Sequence, residues 1–130
     1  MKFKAVIVAV ICIGTITNKV ISQTQSTNTW KGGTPGQTAN WNCPKNWSTG
    51  RVPDAFQNVI IPDVSTGSGV YPVIKTGGQE VNAVVLESGA TLEIIKEGSL
   101  MVFGAFEGYG SFGLEAEGAL VLQADCYSGL

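Results

Sequence analysis

Residues 88–103 (SGATLEIIKEGSLMVF) and residues 108–123 (GYGSFGLEAEGALVLQ) are two copies of one pattern set 20 residues apart. Thr91 falls on Ser111, Leu92 on Phe112, Ile94 on Leu114, Glu97 on Glu117, Gly98 on Gly118, Leu100 on Leu120 and Val102 on Leu122. Within each copy the apolar residues stand two apart, which places each pair on one face of a short strand. Lys96-Glu97-Gly98 and Ala116-Glu117-Gly118 lie between the strands, and the glycines are expected to take the positive φ of the corner. A period of this length matches one coil of a parallel β-helix, in which equivalent residues stack at about 4.8 Å. The alternative is an antiparallel β-sandwich, but a sandwich does not require the same spacing in successive hairpins. The expectation is therefore an all-β chain: a short right-handed parallel β-helix, or solenoid. Almost no helix is expected beyond residue 22, because no later stretch repeats apolar residues at helical spacing without glycine interruption.

The start of the chain is built differently. Lys2 and Lys4 precede an apolar run, AVIVAVICIG, over residues 5–14, and a more polar stretch ends at Val20-Ile21-Ser22. This is the layout of a signal peptide, residues 1–22, cut before Gln23. The apolar run is about half of the roughly 20 residues needed to cross a bilayer, so no membrane span is expected after cleavage. Ile11 stands where a small residue would precede a lipid-modified cysteine, which argues against an anchor on Cys12. Cleavage would leave residues 23–130 with a net charge of -5.

Composition then removes whole classes of chemistry. The chain has no histidine, which excludes histidine-based triads, histidine general bases and histidine-ligated zinc. It has 8 Lys plus Arg against 10 Asp plus Glu and no basic run, so a nucleic-acid partner is not expected. Cys43 and Cys126 are either a disulfide, in an oxidising compartment, or free, partly buried thiols. Neither sits in a zinc pattern, and no cofactor or metal is implied.

Residues 23–29 (QTQSTNT) read as a flexible lead-in, residues 30–80 as a Trp-rich cap with the first strands, and residues 81–130 as an incomplete set of solenoid coils. In the cap segment, Trp30, Trp41 and Trp47 are candidate ligand-binding residues, because flat indole faces stack on sugar rings. The competing reading makes them a plug over the solenoid end. Val52-Pro53-Asp54 is a turn leading into Val59-Ile60-Ile61-Pro62, and a Gly/Ser-rich loop precedes Val70-Tyr71-Pro72-Val73-Ile74. Glu97 and Glu117 occupy equivalent corners, where they would either share a calcium ion or splay into water. Asp54, Asp63 and Asp125 are scattered through turns, and Arg51 flanks one of them, so no catalytic cluster is expected. Asn46-Trp47-Ser48 matches a glycosylation sequon.

Trp30-Lys31-Gly32, Trp41-Asn42, Asn46-Trp47-Ser48-Thr49-Gly50, Val52-Pro53 and Asn58-Val59-Ile60-Ile61-Pro62, followed by Tyr71-Pro72-Val73-Ile74 and Ser88-Gly89-Ala90-Thr91-Leu92, resemble the opening module of large bacterial secreted surface proteins. Those proteins continue into β-helix coils and end in a sorting domain for the type nine secretion route. The resemblance covers about residues 30–125 and implies a surface or extracellular β-solenoid, with no catalytic residues to carry over. Here no sorting domain follows, and residues 124–130 read as the start of another coil. The expected function is a non-catalytic structural or adhesive module of a secreted or outer-surface bacterial protein. A carbohydrate-binding module using the tryptophans is the alternative. Its partners would be a surface glycan or further coils of a longer chain; the early stop reads either as a truncated reading frame or as an end that pairs with another chain.

Overall fold

A computed structural model of the chain describes residues 8–13 and 26–125. Eleven strands follow in chain order among them: β1 (Val8–Ile13), β2 (Ser26–Thr29), β3 (Gln57–Ile61), β4 (Val73–Ile74), β5 (Gln79–Val81), β6 (Ala83–Leu86), β7 (Thr91–Ile94), β8 (Ser99–Val102), β9 (Phe106–Gly108), β10 (Ser111–Leu114) and β11 (Ala119–Asp125). They form three sheets, ordered β2-β3-β6-β9, β4-β7-β10 and β5-β8-β11-β1. Every strand pairing is parallel. The chain therefore visits the sheets in turn: β3-β4-β5, β6-β7-β8 and β9-β10-β11 are three successive coils of a β-solenoid. Parallel pairing on all three sides leaves no place for the antiparallel sandwich. The only helical turn among the described residues is a 3-10 turn at Pro44–Asn46.

The 20-residue spacing is the register between the second and third coils in two of the sheets. Thr91 pairs with Ser111 and Ile94 with Leu114, while Ser99 pairs with Ala119 and Val102 with Leu122. The third side escapes the repeat, because Val84 stacks on Phe106, 22 residues on, and Asn58 on Ala83, 25 residues on. Unequal loops enter at those corners, so the sequence pattern blurs while the stacking persists. Inside the triangle run columns of apolar residues: Val59, Val84 and Phe106; Ile74, Ile94 and Leu114; Val81, Val102 and Leu122. In the first two coils these positions are buried at 0–1% exposure. Each such side chain contributes about 1.5–3 kcal/mol by leaving water.

Two local expectations change. The positive φ at the repeated corners falls on Glu97 (70°) and Glu117 (75°) rather than on the glycines that follow. The amide of Gly98 donates to the Ile95 carbonyl at 2.8 Å and that of Gly118 to Glu115 at 2.9 Å, closing turns with the glutamate third. That is the type II position, normally glycine. Gly98 serves another purpose: a Cβ there would run into the Ile74 carbonyl of the coil below.

The second change concerns the lead-in. Ser26–Thr29 is not a loose tail but β2, paired with β3 from Ser26 on Gln57 to Thr29 on Ile60. Its inward residue is Asn28, 0% exposed, on the column of Val59. The buried amide is satisfied: Asn28 Nδ2 donates to the Arg51 carbonyl at 2.8 Å and to Gln57 Oε1 at 3.1 Å, and Oδ1 accepts from the Thr49 amide at 3.2 Å. Hydrogen bonding replaces apolar burial here. Of the segment read as a signal peptide, residues 8–13 form β1, and the rest lies outside the described residues.

Candidate functional site

The three tryptophans meet at one end of the stack. Trp30 is 1% exposed and Trp41 and Trp47 are 0% exposed. The Trp47 ring stands edge-to-face with both others, at centroid distances of 5.1 Å to Trp30 and 4.8 Å to Trp41. Trp30 Nε1 donates to the Val70 carbonyl and Trp47 Nε1 to the Trp41 carbonyl, each at 2.8 Å. Trp41 Nε1 has no hydrogen-bond partner among the described residues. With no face open, these indoles form a plug rather than a platform for a sugar ring. Gly32 belongs to the plug: at φ 71° it lies against the Trp30 indole and the Val70 carbonyl, where a Cβ would come within 2.8 Å of each.

Asn46 fastens the loop over this plug. It is 0% exposed, and its Nδ2 donates to the carbonyls of Gln37 (2.7 Å) and Asn40 (3.0 Å). Its Oδ1 accepts from the Thr34 amide at 3.0 Å. The sequon asparagine is thus committed within the fold and presents no free amide to a glycosylating enzyme. Cys43 is a buried free thiol, and Cys126, its suggested disulfide partner, lies outside the described residues.

The acidic corners are exposed. Glu97 and Glu117 sit on adjacent coils, with the Glu97 amide donating to the Glu117 carbonyl at 3.3 Å. Lys96 Nζ lies 3.8 Å from Glu117 Oε1, and the Lys96 amide donates to Glu115 Oε1 at 3.0 Å. A lysine, not an arranged set of oxygens, faces the Glu117 carboxylate. Among the described residues no group of His, Cys, Asp and Glu is placed to hold a metal ion. Asp63 is engaged differently. Its Oδ1 accepts from the Ser65 amide at 2.9 Å and from the Tyr71 hydroxyl at 2.8 Å, and Tyr71 Oη accepts from the Val64 amide at 3.1 Å. The Ser65 hydrogen bonds and the Tyr71 hydroxyl hold its carboxyl below the usual range.

Two surfaces remain as candidates. One is an open groove of about 300 Å³ between the Gly36–Asn40 loop and β4, lined by Gln37, Thr38, Asn40, Val73 and Lys75. Its amide groups already bond each other, Asn40 Nδ2 donating to Gln37 Oε1 at 2.6 Å. The other is the end of the third coil. Phe112 stacks on fully buried Leu92 yet is 37% exposed, and Phe106, Leu114 and Leu122 are only partly buried. The Phe106 and Phe112 rings meet edge-to-face at 5.8 Å. Tyr109 and Phe103 are also exposed, at 66% and 38%. Charge divides along the same axis. Residues 26–77 hold four basic and two acidic side chains, whereas residues 78–125 hold one lysine against eight acids.

The repeat identifies Phe112, Leu114 and Leu122 as inward residues, but whether an inward residue is covered depends on the next coil. The groove residues carry no sequence signal, since their proximity follows from the parallel bridge between Asn40 and Val73. No curated protein and no solved structure is significantly similar to the chain. Residues 29–128, spanning plug and coils alike, match a family described as a domain of unknown function (DUF8693), and the chain belongs to that family.

Proposed function

We propose that the protein is a non-catalytic structural or adhesive module of a secreted or outer-surface bacterial protein, working as a short rigid stack. The observation that carries this reading is the contrast between its ends: one is plugged by three indoles, the other presents inward-facing Phe106, Phe112 and Leu114 to solvent. A solenoid sealed at one end and open at the other suits continuation into, or contact with, more β-structure. The resemblance to the opening modules of bacterial surface proteins supports the location. Carbohydrate binding through the tryptophans has less support, because their faces are closed.

Fractionation of cells producing the tagged full-length chain, with protease treatment of intact cells, tests the location. The expected result is recovery from the medium or loss of the tag from the cell surface; a tag that stays protected in the cytoplasm contradicts it. Indole emission titrated with soluble polysaccharides tests the alternative. Unchanged, blue-shifted emission is expected, and a saturable shift would favour a sugar site.

A further inference from the structure

The third coil has three sheet edges on its open side, and one of them is occupied. β1 pairs with β11 in parallel over six residues, from Val8 on Leu120 to Ile13 on Asp125. It stands where a fourth coil would place its strand in that sheet. The edges of β9 and β10 have no such neighbour among the described residues. We propose that the open end of the solenoid is a strand-acceptor site, and that its occupant in the uncut chain is the chain's own apolar segment Val8–Ile13, acting as a removable lid.

Three observations carry this assignment. The first is the length of β11, seven residues against four in β8. Its pairing with β8 covers only Ala119 to Leu122, so Gln123, Ala124 and Asp125 are strand through pairing with β1 alone. The second is the segment's composition: VAVICI is uncharged, free of glycine and proline, and rich in β-branched residues, the composition that adds readily to an open edge. The third is the open end itself, where Leu114 in the neighbouring sheet remains partly exposed although Ile94, on which it stacks, is fully buried. Main-chain hydrogen bonds would supply affinity, as in other cases of strand addition. If the leader is cut after Ser22, that cut removes the lid and frees the edge for an apolar strand of another protein. The inference concerns the contact itself and stands or falls independently of the proposed location.

The register supplies the test. Cys12 is in register with Ala124, and in-register positions on adjacent parallel strands lie within the Cα separation a disulfide bridges. In the full chain carrying Cys126→Ser, Ala124→Cys should cross-link to Cys12 on mild oxidation, within the monomer and at a rate independent of protein concentration. Gln123→Cys, in register with Ile11 and so one position out of register with Cys12, should react with Cys12 at least about tenfold more slowly. Equal rates for the two variants overturn the assignment, and cross-links found only between chains replace the lid with a second copy. Amide exchange on the unaltered chain gives a reading that does not depend on the new thiol. Gln123 to Asp125 should exchange slowly, and Val10→Pro should speed them without affecting β6 to β8. Fast exchange in the unaltered chain overturns the proposal as well.

Discussion

Leu92 and Phe112 occupy the same column one coil apart, and the first is fully buried while the second is 37% exposed. At the opposite end, three far larger side chains are almost entirely closed to solvent. Burial in a stack is therefore a property of the neighbouring coil as much as of the residue, and apolar character alone does not separate core from contact surface. The plug also differs in kind from the open end. Trp30, Trp47 and Asn46 are each fixed by hydrogen bonds to the main chain, so ring packing and backbone path are specified together. At the third coil stacking holds the aromatic residues, and the edges of β9 and β10 have no further strand beside them among the described residues.

The contrast can be broken most severely at the plug. Trp47→Ala removes the ring that touches both others and should lower unfolding stability by about 3–5 kcal/mol, measured by chemical denaturation. Leu92→Ala should cost about 2–5 kcal/mol, and Phe112→Ala clearly less. Equal losses for the stacked pair would mean that the end is covered in solution. Next come the indole hydrogen bonds. Trp47→Phe leaves the buried Trp41 carbonyl unpaired and should cost about 1–3 kcal/mol beyond lost packing, more than Trp30→Phe, whose partner carbonyl of Val70 is only partly buried, and a penalty Trp41→Phe escapes because its Nε1 has no partner among the described residues. At the corners, Glu97→Gly or Glu117→Gly relieves a positive φ and should raise stability by up to about 1 kcal/mol.

The smallest effect concerns pH. The Asp63 carboxyl is lowered in the folded state, so its contribution is complete above the unfolded value of about 4. It is lost as pH falls through the folded value. Asp63→Asn should flatten that acid limb of the stability profile while leaving neutral-pH folding intact.

The sequence makes two sides of the triangle legible, because β7, β8, β10 and β11 share an undisturbed 20-residue spacing. The third side is hidden by loops of unequal length, and β2 by a buried asparagine at the position where an apolar residue would mark the strand. The corner glycines stand out in the sequence, but the positive φ expected of them falls on the preceding glutamates, and Gly98 is instead needed for its close approach to the Ile74 carbonyl. The tryptophans are visible as exceptional residues from composition alone. Choosing between plug and sugar platform requires knowing which way their faces look, a matter of tertiary packing. Similarly, the groove beside Asn40 depends on a contact with Val73 that no local pattern announces.

Residue-resolved amide exchange on the full-length chain tests the central claim, a parallel stack sealed at the tryptophan end and open at the other. Protection should be strongest in β3 and β6 to β8 and weakest in β9 and β10, with the Trp30 and Trp47 amides among the slow group. Uniform protection through β9 and β10, or a cap that exchanges before the third coil, would contradict it.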